Sequence, residues 1–332
     1  MTVWKEGMRT MRVFVTGAAG FIGGHVARKL RGRGAEVVAL VRSPERASAL
    51  RELGCEVVRG DLNSAGAFRK LMPGCNSVFH IAGVYKVGIP ASERRAMYEA
   101  NVRGTEQVLD AAVDARVPKI IYVSTANAFG NTHGQVVDET YRRRGNAFVS
   151  YYDETKYRAH QVAENRIAKG APIVIVQPGG VYGPGDHSLI GDIIDRVRTG
   201  KLRMQIFPEL GFNLVHVEDV ADGILLAYDK GRVGESYVLG GQIARMGDVV
   251  NLVASLSGRK APRGTLPAGL MKLGIPFGSV IGPLMGFPPN LRELISAGSG
   301  VTYWASDAKA RNELGYSPRD LETGIQQTLA AS

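Results

Sequence analysis

The residues Arg12–Gly23, with the sequence RVFVTGAAGFIG, decide the fold of this chain. The first five are a short apolar run rich in valine, Gly17, Gly20 and Gly23 follow at intervals of three, and Phe21–Leu30 has the pattern of a helix. A buried strand that leads through a glycine turn into a helix N-terminus forms an anion site. Free backbone N–H groups and the positive end of the helix dipole point at one spot there.

Each of the three glycines suits a separate task in a dinucleotide-binding turn. Gly17 makes the tight turn, Gly20 lets a pyrophosphate approach the backbone, and Gly23 lets the helix and the strand pack closely. The spacing is G-x-x-G-x-x-G rather than G-x-G-x-x-G, so the general fingerprint fits loosely. The alternative is that the glycines serve only the packing of the turn, and the rest of the chain has to decide.

Apolar, β-branched segments alternate with helical patterns through the first half of the chain. After the first strand we predict further strands at residues 36–41, 55–59, 77–81, 119–124 and 172–176. Such alternation predicts an α/β fold with a doubly wound parallel sheet, the Rossmann fold, covered by helices on both faces. Ligands of this fold bind at the carboxyl ends of the strands.

The alternation changes after Pro178, which suggests a second unit. We assign residues 1–178 to a Rossmann domain that binds NAD(P), and 179–332 mainly to a smaller, C-terminal substrate-binding lobe. Residues 181–184 are expected to form a turn. The segment 213–239 is expected to return to the main sheet, with 213–217 as one of its strands.

Composition narrows the class of protein. The 332 residues carry a net charge of +10, yet the basic residues are spread out and the densest run, Arg142–Arg144, lies in a loop, so we expect no nucleic-acid partner. The two cysteines are far apart and the histidines show no ligand spacing, so we expect reduced thiols and no metal.

Residues 1–11 read as a short extension without the apolar core of a signal peptide, and prolines and glycines interrupt the apolar stretch at 266–288. We therefore expect a cytoplasmic protein without a membrane span.

Tyr152 and Lys156 stand four residues apart on one predicted helix and therefore share a face. A lysine cation beside a phenol favours the phenolate and lowers the tyrosine pKa towards the range of an acid–base catalyst. The alternative is an ordinary pair on the helix surface.

Polar residues also follow two of the predicted strands. Ser124 and Thr125 end the fifth strand, where a hydroxyl can hold a substrate carbonyl, although such residues are common in strand-end turns. Arg42 ends the second strand, where an arginine accepts the 2′-phosphate of NADP and an acidic residue would hold the ribose of NAD. A solvated arginine is the alternative.

Taken together, a series of motifs resembles an extended short-chain dehydrogenase/reductase of the NAD-dependent epimerase/dehydratase superfamily, in order and over nearly the whole chain from Arg12. These motifs are TGAAGFIG at 16–23, Asp61-Leu62, HIAG at 80–83, NVRGT at 101–105, VSTANAFG at 123–130, YDETK at 152–156, PGGVYGPGD at 178–186, HVEDVADG at 216–223 and DAKARNELGYSPRDLETGI at 307–325.

The resemblance implies specific roles. Thr125 takes the family's catalytic Ser/Thr position, Tyr152 is the proton donor or acceptor, and Lys156 binds the nicotinamide ribose and lowers the tyrosine pKa. Asn101 belongs to the family's VNxxGT element, where a structural role is at least as strong a reading as a catalytic one. The implied cofactor-binding residues are Gly17, Ala19, Gly20, Phe21, Ile22, Gly23, Arg42, Asp61, Leu62, Ile81, Ala82, Gly83, Val123, Ser124, Tyr152, Lys156, Pro178, Gly179 and Val181.

Departures from the family pattern indicate to which subgroup of the family the chain is most similar. Sugar-nucleotide epimerases of this type usually carry an asparagine where this chain has Gly179 and Gly180, and their late arginine motif is replaced by GVTYWAS at 300–306. The acidic pair expected after the catalytic threonine of a 4,6-dehydratase is also missing. The chain is most similar to the dihydroflavonol-4-reductase-like group, which implies reduction of a ketone or aldehyde by NADP(H), with NAD(H) as the alternative cofactor.

Two other functions stay open. One is a nucleotide-sugar epimerase or dehydratase with tightly bound NAD, and the other is a non-catalytic protein that senses NADP. The resemblance also implies a homodimer that pairs through the long helices at 92–115 and 151–169.

An apolar stretch near the C-terminus has two equally good interpretations. Its side chains either line a pocket for a small hydrophobic or aromatic substrate or form the core of the small lobe. They are Leu266, Leu270, Met271, Leu273, Ile275, Phe277, Ile281, Leu284, Met285 and Phe287.

Overall fold

The computed structural model describes residues 11–143, 145, 147–278 and 287–331. Within them, seven parallel strands form the main sheet in the order β3-β2-β1-β4-β5-β6-β9. The strands are β1 Arg12–Thr16, β2 Glu36–Val41, β3 Glu56–Arg59, β4 Ser77–His80, β5 Ile120–Val123, β6 Ile173–Pro178 and β9 Ser236–Leu239. The predicted doubly wound sheet is confirmed.

Helices cover both faces of this sheet and continue into the C-terminal part. They are α1 Phe21–Gly32, α2 Ser48–Glu52, α3 Ala65–Arg69, α4 Ala91–Tyr98, α5 Gly104–Asp114, α6 Tyr151–Ile167, α7 Leu189–Arg198, α8 Val217–Lys230, α9 Met246–Leu256, α10 Ala268–Leu273, α11 Leu291–Gly298 and α12 Leu321–Ala330. Short 3₁₀ segments span Pro44–Arg46, Ala126–Phe129 and Ile275–Phe277, and π turns span Glu99–Arg103 and Ala310–Leu314. No helix of the described residues is long and apolar enough to cross a membrane.

The alternating side chains of β1 show how the sheet is buried on two sides. Val13 and Val15 pack into the core formed with α1 and α8, whereas Phe14 packs into the core formed with α5 and α6. All three are fully buried. A strand with apolar residues on both faces is stable only between two layers of helices, which is the reason for the continuous apolar runs.

A second, smaller sheet lies beyond β6 and corrects two predictions. It contains β7 Gly180–Tyr182, β8 Gly211–His216, β10 Gln242–Arg245 and β11 Thr302–Tyr303, with β8 paired to the other three. The predicted turn at 181–184 therefore begins as a strand. The segment predicted to bring 213–217 into the main sheet forms β8 instead, and only β9 returns to that sheet.

Two glycines at the start of β7, Gly179 just before it and Gly180 as its first residue, give the physical reason for its pairing. A Cβ on Gly179 would lie 2.1 Å from the Asn213 carbonyl oxygen, and one on Gly180 would lie 3.0 Å from the Cβ of Phe212. Because these two residues have no side chains, the backbone of β7 can approach β8 closely enough to pair with it in one sheet. Glycine usually signals a turn, and here it permits a close strand contact instead.

Candidate active site

The turn after β1 is a backbone cradle that leaves no room for side chains. Gly17 has φ +77°, and a Cβ there would lie 2.6 Å from the Ala82 nitrogen. A Cβ on Gly23 would lie 1.9 Å from the Gly17 carbonyl oxygen. Gly20 begins α1 with no side-chain cap and no acidic residue in the first turn, so the positive end of the helix is uncompensated. This arrangement fits a pyrophosphate group.

Most of the other predicted cofactor residues follow the carboxyl ends of neighbouring strands and so lie at one edge of the sheet. Ala82 donates its backbone N–H to Thr16 Oγ1 at 3.4 Å. The remaining residues of this edge are Ala19, Phe21 and Ile22 after β1, Ile81 and Gly83 after β4, Val123 and Ser124 at the end of β5, Pro178 and Gly179 at the end of β6, and Val181 in β7.

Three predicted cofactor residues follow the outer strands β2 and β3. Arg42 is exposed and makes no hydrogen bond or ion pair within the described part of the chain. Asp61 is also exposed, and its Oδ1 accepts the Asn63 N–H at 2.8 Å. Leu62 packs beneath α5, since a Cβ on Gly104 would lie 2.9 Å from Leu62 Cβ.

Tyr152, Lys156 and Thr125 are all buried, with exposed fractions of 9%, 6% and 7%. The ammonium of Lys156 donates to the Val123 carbonyl at 3.2 Å, and Thr125 shares a side-chain hydrogen bond with Tyr152. Tyr152 and Lys156 therefore face the sheet edge rather than forming an exposed pair. The structure brings the three side chains and the strand ends to one place.

The pKa values at this site are set first by burial. Burial lowers the pKa of Lys156 to about 8. Burial, together with the nearby Tyr85 and Asp153, raises the pKa of Tyr152 far above its ordinary value of 10.0. The predicted lowering of the Tyr152 pKa by Lys156 is therefore not found here. Removing the phenolate from water outweighs the hydrogen bond with Thr125, which favours the charged form.

A buried hydrogen-bond chain that the sequence did not indicate supports the loop after β4. Thr16 Oγ1 contacts His80 Nδ1 at 2.7 Å, and His80 Nε2 contacts Thr105 Oγ1 at 2.9 Å. Thr105 donates to the Asn101 carbonyl at 2.7 Å, so Thr105 accepts from Nε2–H and Nδ1 accepts from Thr16. Burial and the Lys156 charge lower the His80 pKa to about 3, which keeps the imidazole neutral.

Asn101 sits in the π turn between α4 and α5, and its amide is used in structural contacts. It accepts the Val84 N–H at 2.7 Å and donates to the Val84 carbonyl at 3.0 Å. It also donates to Thr155 Oγ1 on α6 at 3.0 Å. The amide thus holds the loop after β4 against α6, which favours the structural interpretation of this motif.

A cavity of about 210 Å³ is lined by residues that contact Tyr152 and Thr125, although neither of these two side chains, nor Lys156, is part of its wall. Tyr85 in its wall packs edge-on against Tyr152, with ring centroids 4.8 Å apart. Asn127, also in the wall, hydrogen-bonds Thr125 Oγ1 at 3.3 Å. The full lining is Tyr85, Val87, Asn127, Asp153, Leu189, Phe207, Leu210, Phe212, Pro288, Leu294, Ala297, Gly298 and Tyr303.

The wall of this cavity does not contain the apolar residues between Leu266 and Phe287 that the sequence offered as a possible pocket lining. Leu266, Met271 and Ile275 belong to the core of the second sheet or pack against it. The side chains of Leu270, Leu273 and Phe277 are exposed to solvent, and Phe287 is not part of the cavity wall. Ile281, Leu284 and Met285 lie outside the described residues. The wall is built instead from residues near β8, β11 and α11, which are distant in sequence and share no pattern.

Known proteins resemble this chain over most of its length. A model of the NAD dependent epimerase/dehydratase family matches residues 13–240. A Synechocystis sp. protein that carries the provisional name dihydroflavonol 4-reductase is 33% identical, covering 96% of this chain and 92% of its own. A 4-hydroxy-2-methyl-3-oxo-4-farnesyl-3,4-dihydroquinoline-1-oxide ketoreductase of Stigmatella aurantiaca is 32% identical, covering 93% and 92%.

Solved structures show the same architecture. The crystal structure of gox2253 superposes with a TM-score of 0.83 at 33% identity, covering 96% of this chain and 97% of its own. A UDP-glucuronic acid 4-epimerase from Bacillus cereus, solved with NAD, superposes with a TM-score of 0.79 at 21% identity, covering 97% and 98%. The second likeness extends to the fold alone.

Proposed function

Because this chain belongs to the NAD dependent epimerase/dehydratase family, we propose that it reduces a ketone or aldehyde group of a small hydrophobic or aromatic substrate with NADPH. It is an NAD(P)-dependent oxidoreductase of the extended short-chain dehydrogenase/reductase type, most like the dihydroflavonol-4-reductase-like group. The substrate, the preference for NADPH and the catalytic residues are the proposal.

The composition of the cavity wall carries this proposal. The thirteen lining residues are mostly apolar or aromatic and include no lysine, arginine or histidine. A nucleotide sugar would bring a diphosphate into the site, and burying that charge without a cationic partner is expensive. A neutral carbonyl compound with an apolar body has no such requirement. The cavity therefore favours reduction of a ketone or aldehyde over sugar epimerisation.

The buried side chains supply the groups that carbonyl reduction needs. When bound, the nicotinamide supplies the hydride that adds to the carbonyl carbon. The hydroxyl of Thr125 holds the carbonyl oxygen, and the phenol of Tyr152 donates its proton to the alkoxide that develops there. Lys156, one helical turn away, stabilises the phenolate left behind. The pKa of Tyr152 lies above neutral pH, so the phenol carries the proton that this role requires.

Replacing Tyr152 with phenylalanine tests the assignment of the proton donor. For Tyr152→Phe we expect kcat/KM on aromatic ketones to fall by about 10²–10⁴-fold, the usual contribution of a general acid, while NADPH affinity stays close to that of the wild type. Tyr151→Phe is the matched control, because it removes the same hydroxyl from the neighbouring side chain, which packs against Arg94. Near-normal turnover by Tyr152→Phe would show that another group donates the proton.

Arg42 supports the preference for NADPH. It follows β2 at the sheet edge and has no partner among the described residues, so its guanidinium is available for the 2′-phosphate. A charge-assisted hydrogen bond contributes about 1.5–3 kcal/mol, which is roughly a 10- to 100-fold preference in affinity.

Fluorescence titration of the wild type with NADPH and NADH measures this preference directly. Arg42→Ala should remove it, whereas Arg51→Ala, an exposed arginine on α2, should keep it. NAD that co-purifies and does not exchange would overturn the NADPH proposal and favour the nucleotide-sugar enzyme. NADPH binding without turnover on a broad panel of carbonyl compounds would favour the non-catalytic sensor.

A further inference from the structure

The C-terminal part of the chain exposes large apolar side chains on one short segment. Leu270, Leu273 and Phe277 have exposed fractions of 56%, 73% and 61%. The first two lie on α10, and Phe277 ends the 3₁₀ turn that follows it. Met271, between the two leucines, is buried in the core of the second sheet. The segment therefore turns one apolar side chain inward and leaves three in contact with solvent.

The spacing of these three residues places them together. Residues three and seven positions apart share one face of a helical segment, so Leu270, Leu273 and Phe277 form a strip rather than isolated points. Single apolar side chains are ordinary on a protein surface, whereas a contiguous group of them marks a site of interaction. The strip thus requires a partner with an apolar component.

Exposed cations accompany the strip. Residues 249–292 contain no aspartate or glutamate and five basic residues. All five are exposed, and none forms a hydrogen bond or an ion pair with another described residue. They are Arg259, Lys260, Arg263, Lys272 and Arg292. The positive charge of this segment is therefore not neutralised within it.

Backbone hydrogen bonds attach the residues before α10 to the loop after α7. The Gln205 N–H donates to the Gly264 carbonyl at 2.8 Å, and the Leu266 N–H donates to the Gln205 carbonyl at 2.9 Å. Met204, which is 42% exposed, lies next to this contact, since a Cβ on Gly264 would be 3.7 Å from Met204 Cε. The loop thus adds an apolar side chain. We call the surface formed by residues 259–277 the basic apolar patch.

We propose that the basic apolar patch docks the protein onto a lipid bilayer that contains anionic lipids. The cations attract the headgroups, and the apolar side chains enter the boundary between headgroups and acyl chains. Other partners fit less well. A nucleic acid would pair with the cations but leave the leucines in water. A second copy of the chain, joined through the same face, would bring two positive surfaces together.

The basic apolar patch lies close to the candidate active site, although its binding to a bilayer does not depend on the proposed reaction. α10 packs on α11, and a Cβ on Gly274 would lie 3.7 Å from Leu291 Cδ1. Leu294 and Ala297, also on α11, line the cavity. Because a helix with its side chains is about 10 Å thick, docking brings the bilayer to within about that distance of the cavity.

Cosedimentation of the wild type with two kinds of vesicle tests the proposal. One kind contains phosphatidylcholine alone, and the other contains phosphatidylcholine with about one-quarter phosphatidylglycerol. A lysine or arginine near an anionic surface strengthens binding about fivefold, so we expect partition into the anionic vesicles to be about 100-fold stronger or more. Raising the salt from about 0.1 M to about 0.5 M, which screens these charges, should lower it by about tenfold or more.

A charge variant assigns the effect to the patch. Replacing Arg259, Lys260 and Arg263 together with glutamine should weaken partition about 100-fold, at about fivefold per cation. The matched control removes three exposed cations without partners from the Rossmann half, again by replacement with glutamine. They are Arg46, Arg51 and Lys70. The control has the same net charge as the patch variant and should keep most of the binding.

An apolar variant tests the strip. The double variant Leu273→Ser, Phe277→Ser should weaken partition by about 10- to 100-fold, since two side chains no longer leave water on docking. The control is Val136→Ser, Val233→Ser, at residues that are 55% and 52% exposed elsewhere on the surface. All four side chains face solvent, so the Tm of each variant should stay close to that of the wild type.

Several outcomes would overturn the proposal. Equal binding to both kinds of vesicle, binding to neither, or an equal loss in the patch variant and its charge control would each do so. Retardation of a DNA duplex that depends on Arg259, Lys260 and Arg263, without vesicle binding, would assign the patch to nucleic acid. A dimer that Leu273→Ser, Phe277→Ser dissociates, again without vesicle binding, would assign it to a second copy. None of these results bears on ketone reduction, which is measured separately.

Discussion

The buried carboxylate of Asp153 should destabilise the folded protein at neutral pH, and Asp153→Asn should relieve this. In the folded state burial raises the pKa of Asp153 from 3.8 to about 6. The folded form therefore holds its proton more tightly than the unfolded chain does. The stabilisation that proton binding by Asp153 gives to the folded state is fully present below pH 4 and is lost as the pH rises through 6.

The two values set the magnitude of the effect. A difference of about two pKa units corresponds to roughly 3 kcal/mol at 1.36 kcal/mol per unit, and about 2 kcal/mol of this falls between pH 4.5 and pH 7.5. The new amide is compatible with the site. Its oxygen can accept from Asn127 Nδ2, and its NH₂ can donate to the hydroxyl oxygen of Tyr303, which is able to accept.

Urea unfolding of the wild type and Asp153→Asn at pH 4.5 and pH 7.5 measures the effect. At each pH we take the free energy of unfolding of the variant minus that of the wild type. We expect this difference to be about 2 kcal/mol larger at pH 7.5 than at pH 4.5. Other carboxylates titrate in both proteins, and their contributions cancel in the difference. Glu154→Gln should show a much smaller change, because the Glu154 carboxylate reaches solvent. A difference between wild type and Asp153→Asn that does not vary with pH would refute the reasoning.

Two further predictions concern the glycine turn and Lys156. Gly23→Ala should lower the free energy of unfolding by about 3 kcal/mol, because its Cβ would lie 1.9 Å from the Gly17 carbonyl oxygen. Gly24→Ala, whose Cβ would have its nearest neighbour at 3.6 Å, should be neutral or stabilising by about 0.5–1 kcal/mol in the same urea experiment. Since burial lowers the pKa of Lys156 to about 8, kcat/KM for ketone reduction should fall above that pH, where the neutral amine no longer stabilises the phenolate of Tyr152. A pH–rate profile of Lys156→Met should lack this decline, and its persistence would assign the decline to another group.

The sequence predicted the main sheet closely because its signals are local. The strand at Glu36–Val41 was predicted with the bounds that the structure has, and the other parallel strands agree to within two residues at either end. Continuous apolar runs between helical patterns arise only where a strand is buried on both faces. The predicted homodimer, the cytoplasmic location and the boundary between the two lobes at Pro178 depend on surfaces and contacts that no such local pattern reports, and they stay predictions.

The second sheet shows where local signals fail. The residues of β8 are all buried, so their apolar pattern suits the centre of either sheet. Their partners are decided by the two glycines at the start of β7 and by β11, which follows β8 by more than eighty residues. A run of apolar residues specifies burial but not the neighbouring strand.

Some residues of the candidate site could likewise be identified from local sequence patterns, and others could not. Tyr152 and Lys156 could be chosen from sequence because their spacing places them on one helical face, and the glycine turn because its spacing suits a strand-to-helix turn. Asp153 carries no such signal. As an acid in the first turn of a helix, it has the features of an exposed residue that favours the helix dipole. It is buried because Tyr303, 150 residues later, and Asn127 close over it. A group whose environment comes from three distant segments can be found only in the folded structure, and in this chain that group is the immediate neighbour of the proposed proton donor.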